Sequence, residues 1–194
     1  MNKLNREDLW SLEEYAEKRA DFRAQVMAHK KNRQLALDEH ARLYFEDRLT
    51  LQYQIQEMLR IEKVFDRAGI QDELDAYNPL IPDGTNFKAT FMLEYDDIEE
   101  RKGQLAKLRG IEKCIWLQVQ DHEKVTPIAD EDLEREDEVK TSSVHFLRFE
   151  LTPKMITDLK KGANLRAGID HPAYPSIDIA VAANIRDSLV ADLN

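Results

Sequence analysis

A chain of 194 residues that is 42% hydrophobic and 34% charged is long enough for one domain with its own core and too apolar to stay disordered. Its one cysteine, Cys114, excludes an internal disulfide framework and any multi-cysteine zinc or iron–sulfur site. A net charge of −10 disfavours nucleic acid and anionic membrane surfaces as partners, and no apolar run approaches the length of a membrane span or leader, so a cytoplasmic location is expected.

In chain order, Ser11-Leu-Glu-Glu14 has the form of a capping box, and Asn5 can cap an earlier turn, so residues 5–32 read as a helical N-terminal segment. Leu12, Tyr15, Phe22 and Val26 give it an apolar side. The body, 33–194, opens with short strands at 34–37 and 43–47, joined by Asp38-Glu-His-Ala41. In the second strand Leu43 and Phe45 face away from Tyr44 and Glu46. Residues 49–65 lack Gly and Pro and read as a strong helix, and Gly69 either ends the region or begins a second short helix through Asp72 to Tyr77. Pro79-Leu-Ile-Pro-Asp-Gly84 is a rigid loop that could also dock a partner. The cleanest alternation is 87–95, with Phe87, Ala89, Phe91 and Leu93 on one face. A helix over 96–109 and strands at 115–120, 125–128, 144–151 and 165–170 follow, with a Pro153-led helix before the last strand and a terminal helix at 182–193. Strands in hairpins with helices between them predict an α+β fold: a single domain, 1–194, with a mainly antiparallel sheet that includes 87–95, 115–120, 144–151 and 165–170.

Charge is distributed unevenly. Residues 18–33 hold six basic side chains against Asp21, and 130–138 hold seven acids. The two are complementary in sign and are expected to meet, within one chain or across a homo-oligomer.

Chemistry is expected where polar groups fall on apolar faces. On a wheel of about 100° per residue the 49–65 helix has a very wide apolar arc, with Gln52, Gln56, Arg60 and Lys63 as its solvated stripe. Glu57 and Glu62 fall inside the arc, where an ionised carboxylate must be paired, protonated or bound to a cation. An internal salt bridge, to Arg148 or Arg48, competes with a metal or ligand site. His145 shares a strand face with Leu147 and Phe149, and His171 continues the register of Leu165 and Ile169, so both are expected inward. His29, His40 and His122 sit among charges and are expected to be solvated. Glu57, Glu62, His145 and His171 together form a candidate site for iron or another divalent metal if they converge, although the spacing is no metal motif. There is no dinucleotide fingerprint, P-loop or nucleophile elbow, and Cys114 reads as a small core hydrophobe.

Phe45-Glu-Asp-Arg-Leu-Thr50, Tyr53-Gln-Ile-Gln-Glu-Met-Leu-Arg60, Tyr77-Asn-Pro-Leu-Ile-Pro-Asp-Gly84, Ser143-Val-His-Phe-Leu-Arg-Phe-Glu-Leu151 and Asp170-His-Pro-Ala-Tyr174 resemble a bacterial family, domain of unknown function three thousand five hundred and one. The resemblance runs from Leu4 to the C-terminus. Genes of that family often neighbour a rubrerythrin and a heterodisulfide-reductase-like iron–sulfur protein, which implies a peroxide or redox role with one of these as partner, but no reaction. Three classes follow: an accessory or binding protein of an iron and peroxide system, a metal-dependent enzyme built on the Glu and His residues, and a structural homo-oligomer subunit.

Overall fold

The computed structural model describes residues 3–132, 135 and 139–194. Helix α1, Leu12–Lys30, begins at the expected capping box: the Glu14 N–H donates to Ser11 Oγ at 3.2 Å and the Ser11 N–H donates to the Glu14 carboxylate at 3.2 Å. Its Tyr15, Phe22 and Val26 pack on Tyr53 of α2, Arg48–Glu62. That second helix is capped by Asp47 and stops at Lys63, whose φ of 56° is left-handed. A third helix, α3, spans Arg67–Tyr77, starting two residues before Gly69 because Asp66 caps it through the Ala68 and Gly69 N–H groups. The Asn78–Leu80 turn that follows uses Pro79 to aim the chain back at the body.

Among the described residues the body's strands all pair antiparallel, but they form two sheets where one was expected. The first has the order β1-β2-β3-β7-β6, with β1 Gln34–Ala36, β2 Ala41–Phe45, β3 Asn86–Leu93, β7 Val144–Glu150 and β6 Ile128–Ala129. The second has the order β5-β4-β8-β9, with β5 Lys124–Val125, β4 Ile115–Val119, β8 Leu165–Ile169 and β9 Ile177–Ala180. Helices α4 (Ile98–Lys107), α5 (Pro153–Lys160) and α6 (Ala183–Val190) complete the fold. The inner faces expected from alternation are correct: Phe87, Ala89, Phe91 and Leu93 are buried, as are Ile115, Leu117 and Val119. They share one core, joined by Met155, Leu159, Ile185 and Leu189 from α5 and α6. Alternation says which side of a strand is apolar. It does not say whether two such strands lie side by side or face each other across a core, and here 87–95 and 115–120 belong to opposite sheets.

Other expectations fail for local reasons. Strand β9 lies in a stretch, 177–180, to which the sequence assigns no element; its edge position leaves its burial only partial and its pattern weak. Gln56 is fully buried, because the N-terminal segment crosses this face of α2: the Trp10 N–H donates to Gln56 Oε1 at 2.7 Å, and the Gln52 amide donates to the Asp8 carbonyl at 2.7 Å. At the other end of α2 the apolar arc runs into solvent: Ile61 is 60% exposed, and Phe65, past the end of the helix, is 78% exposed. His29 and His122 are not simply solvated. His29 Nε2 lies 2.5 Å from Asp47 and His122 Nε2 lies 2.9 Å from Asp158, while His40 stacks on Tyr95 with ring centroids 4.3 Å apart.

The described part of the 130–138 acidic run does not pair with α1. Asp130 and Asp132 meet Arg135, and Glu131 meets Arg148, while Arg19 of α1 meets Glu57. Glu134, Glu136, Asp137 and Glu138 lie outside the described residues. Among the described residues, no helix is long and apolar enough to cross a membrane.

Candidate functional site

The outer face of the five-stranded sheet is where concave space and polar groups coincide. Register builds its floor. Tyr44, Thr90 and Phe146 are direct cross-strand partners on β2, β3 and β7, and Arg42, Met92 and Val144 form the next row. Residues of one row on one face have neighbouring side chains. Helices α2 and α3 do not close down on this face. They stand off, and Leu51, Gln54, Tyr77 and Leu80 form the opposite wall of a groove of about 490 Å³. A narrower extension runs past Glu46, Leu80 and Phe146, which border both parts, toward Lys88 and Arg148. The proline loop thus has a concrete role: Pro79 places Leu80 in the groove wall while Ile81 is buried in the helical core.

Glu46 sits at the waist of the groove, one residue past β2. Its carboxylate accepts from Thr50 Oγ1 at 2.6 Å and from Thr90 Oγ1 at 2.8 Å. Thr50 is itself fixed by α2's capping box, where it accepts from the Asp47 N–H at 3.0 Å. The start of a helix also presents a positive dipole end, which favours an anion there. Two groove tyrosines are held protonated. Burial, then the hydrogen bond to Glu94, pushes Tyr44 up to about 12, and burial raises Tyr77. Lys88 is lowered by burial, and its ammonium donates to the Pro79 carbonyl at 2.5 Å.

The four residues expected to form a metal site are placed apart, each with partners of its own. Glu57 lies between α1 and α2, where it accepts from Arg19 at 2.7 and 2.9 Å, from Tyr15 Oη at 2.7 Å and from Arg60 at 3.0 Å. Those bonds, Arg19 first, hold its carboxyl down at about 2. A salt bridge was the competing expectation, though to Arg148 or Arg48; Arg148 instead meets Glu131 and Glu150, and Arg48 meets Asp8. Glu62 is exposed because α2 ends there. His171 is only half-buried: β8 stops at Ile169, and the imidazole turns so that Nε2 meets the Arg109 carbonyl at 3.0 Å. Only His145 is fully buried as expected. Its Nδ1 lies 2.6 Å from Asp130, and its Nε2 lies 3.0 Å from Thr141 Oγ1 and 3.1 Å from the Ser142 carbonyl. Among the described residues, no group of three or more His, Cys, Asp or Glu side chains is arranged to hold a metal ion.

The Asp130–His145–Thr141 array has the connectivity of an acid–base relay, but Thr141 and His145 are both buried to within 1% and border neither part of the groove. It serves as a tie. Asp130, at φ 52°, also accepts the Phe146 N–H at 2.9 Å and so fixes the chain that leads into β7. Glu46, the groove's central group, was missed as a site residue. Its signal was the polar and aromatic outer face of 43–47, where Tyr44 and Glu46 alternate with Leu43 and Phe45.

Over residues 3–193 the chain matches the family model described as Protein of unknown function (DUF3501). The chain belongs to this family. The expected family resemblance is therefore correct, and so is the α+β architecture. The chain is also similar to a protein of unknown function from Burkholderia pseudomallei K96243, known from a crystal structure: 51% identical, 100% of each chain covered, TM-score 0.95. No curated protein matches the chain significantly.

Proposed function

We propose that this is an accessory binding protein of the cytoplasm whose ligand seat is the groove between the outer sheet face and helices α2 and α3. One observation carries the proposal: a sheet face that bears Met92, Val144 and Phe146 is left uncovered by the helices beside it, and the space enclosed is about 490 Å³. Ligand sites are concave, largely apolar and of roughly 300–1,000 Å³, with a few polar groups that orient the ligand. Tyr44, Glu46, Thr90 and Gln54 supply those groups.

The test is titration of the isotopically labelled protein with 2-phenylethanol, followed through backbone amide shifts. Shifts confined to residues around Leu51, Thr90 and Val144 are expected, and Met92→Trp, which fills the groove from its floor, should abolish them. Shifts scattered over the surface, or unchanged in Met92→Trp, would refute the groove as a seat.

The wider setting follows from the family resemblance. A rubrerythrin or an iron–sulfur protein is the proposed partner, and the role is in handling peroxide or iron. Affinity purification from the native cell should recover one of the two in proportion to the tagged chain. Iron or another divalent metal retained by the purified chain, with turnover of peroxide by the chain alone, would favour the metal-dependent enzyme instead. A homo-oligomer with neither partner nor ligand would favour the structural subunit.

A further inference from the structure

Glu46 is the carboxylate of the groove between the sheet and helices α2 and α3, and it lacks an ionic partner. Among the described residues, no cation lies within ion-pairing distance of its carboxylate, which is held by two neutral hydroxyls, Thr50 and Thr90. Lys30 lines the same groove, and the nearby basic groups have other contacts. The Lys30 ammonium lies 5.6 Å from the centre of the Tyr53 ring, Lys88 donates to the Pro79 carbonyl, Arg42 pairs with Glu94, and Arg148 pairs with Glu131 and Glu150. A half-buried carboxylate without a counter-charge is costly to keep, yet this one is oriented by two strands and a helix N-terminus. Its surroundings are aromatic and apolar: Tyr44 and Phe146 share its floor, and Tyr77 and Leu80 stand opposite. A fixed anion among aromatic faces is the arrangement that recognises an organic cation, through one charge-assisted hydrogen bond or ion contact and the attraction of a cation to ring faces.

We infer that the groove takes an amine: a small molecule with an apolar, ring-sized body and a cationic nitrogen seated at Glu46. This rests on the groove's being a ligand seat and adds the charge class of the ligand. The body lies over Met92 and Val144, and the nitrogen meets the carboxylate lone pairs that Thr50 and Thr90 leave free. The two hydroxyls do not compete for the ligand, since both already donate to Glu46.

The experiment compares three probes that share one body and differ in charge at pH 7: phenethylamine as the cation, 2-phenylethanol as the neutral form and phenylacetate as the anion. Each is titrated against the labelled full chain and against Glu46→Gln, which keeps an acceptor for the threonines and removes the charge. Phenethylamine is expected to bind wild-type protein at least roughly tenfold more tightly than 2-phenylethanol, as one charge-assisted contact allows. In Glu46→Gln that preference should vanish. If 2-phenylethanol shifts the groove amides and phenethylamine binds no more tightly, or phenylacetate binds best, the groove remains a seat and the cation inference is wrong. If none of the three shifts those amides, both fall. The order among the probes on wild-type protein decides the inference even if Glu46→Gln does not fold; a folded Glu46→Gln that keeps the preference for phenethylamine also overturns it.

Discussion

Arg33 is the most deeply buried cation of the described residues and ties three distant parts of the chain, so its removal has a calculable cost. The guanidinium, 2% exposed, donates to the Phe45 carbonyl at 3.1 Å, the Glu46 carbonyl at 3.0 Å and the Ser188 carbonyl at 3.2 Å, forms a close ion pair with Asp192, and lies 3.5 Å from Asp47. It therefore joins the end of α1 to β2 and to the last turns of the chain. In Arg33→Met the aliphatic stem is kept and the charge is lost. Asp192 then remains buried without its cation, and three backbone carbonyls lose a donor. Breaking a buried pair from one side costs about 3–5 kcal/mol. For a chain of this size that corresponds to a fall in melting temperature of about 6–20 °C. Burial already pushes the Asp192 carboxyl up to about 6 even with Arg33 beside it. A raised folded-state pKa means stability that is present at low pH and lost as pH rises through the folded value. Without Arg33 that value rises further, so the variant's deficit should be larger at pH 8 than at pH 5. Adding Asp192→Asn to Arg33→Met should recover a substantial part of the loss at pH 8. Thermal and urea unfolding of the four proteins in this cycle measure all of this. A loss below about 1 kcal/mol in Arg33→Met, or no recovery from Asp192→Asn, would refute the account, since an unpaired buried carboxylate would then carry no penalty. Because Arg33 grips the backbone at Glu46, the single variant should also weaken phenethylamine binding.

Glu57→Gln should cost about 1–2 kcal/mol at neutral pH, after allowance for the solvent exposure of Arg19. Because the Glu57 carboxyl is depressed to about 2, its contribution is present above about pH 4.5 and lost as pH falls toward 2, so the gap between wild type and variant should close in urea melts run from pH 7 down to pH 3. Gly168→Ala should prevent folding or cost more than about 3 kcal/mol, because the new methyl meets the Ile177 carbonyl and the Trp116 ring, and the yield of soluble protein with native near-ultraviolet dichroism is the readout. Asp130→Ala should cost about 2–4 kcal/mol, from the lost acceptor for His145 and for the Phe146 N–H and from alanine at a positive φ, whereas Asp130→Asn should cost less; the midpoint of denaturant unfolding compares them.

Local physics made most elements legible before any tertiary information. The Ser11–Glu14 box, the alternation of Phe87 to Leu93 and Pro153 at a first helical position each depend on a few adjacent residues, and each appears as expected. The inward direction of His145 was likewise legible from Leu147 and Phe149. The candidate site was not. A helical wheel assumes that whatever covers one turn of a helix covers the next, but α2 is crossed by the N-terminal segment at Gln52 and Gln56, left bare at Ile61, and ended before Phe65. Polarity therefore misjudged both ends: Gln56 is buried because Trp10's backbone satisfies it, and Glu62 is exposed because the helix stops. Whether polar groups converge depends on partners far away in the chain. Glu57 faces inward but meets Arg19, 38 residues earlier, and His145 meets Asp130 across the β6–β7 pairing.

The sequence by itself determined the membership of the family, most of the secondary structure and which face of the main strands is apolar, because these rest on nearest-neighbour stereochemistry and on side-chain transfer to an apolar interior. Only the tertiary structure decided that the strands divide between two facing sheets and that helices α2 and α3 stand off the outer face of one of them. Both follow from long-range packing: the groove exists where Leu80 and Tyr77 come opposite Phe146 and Met92, residues more than 50 positions apart at the widest, and no local pattern encodes the distance between them.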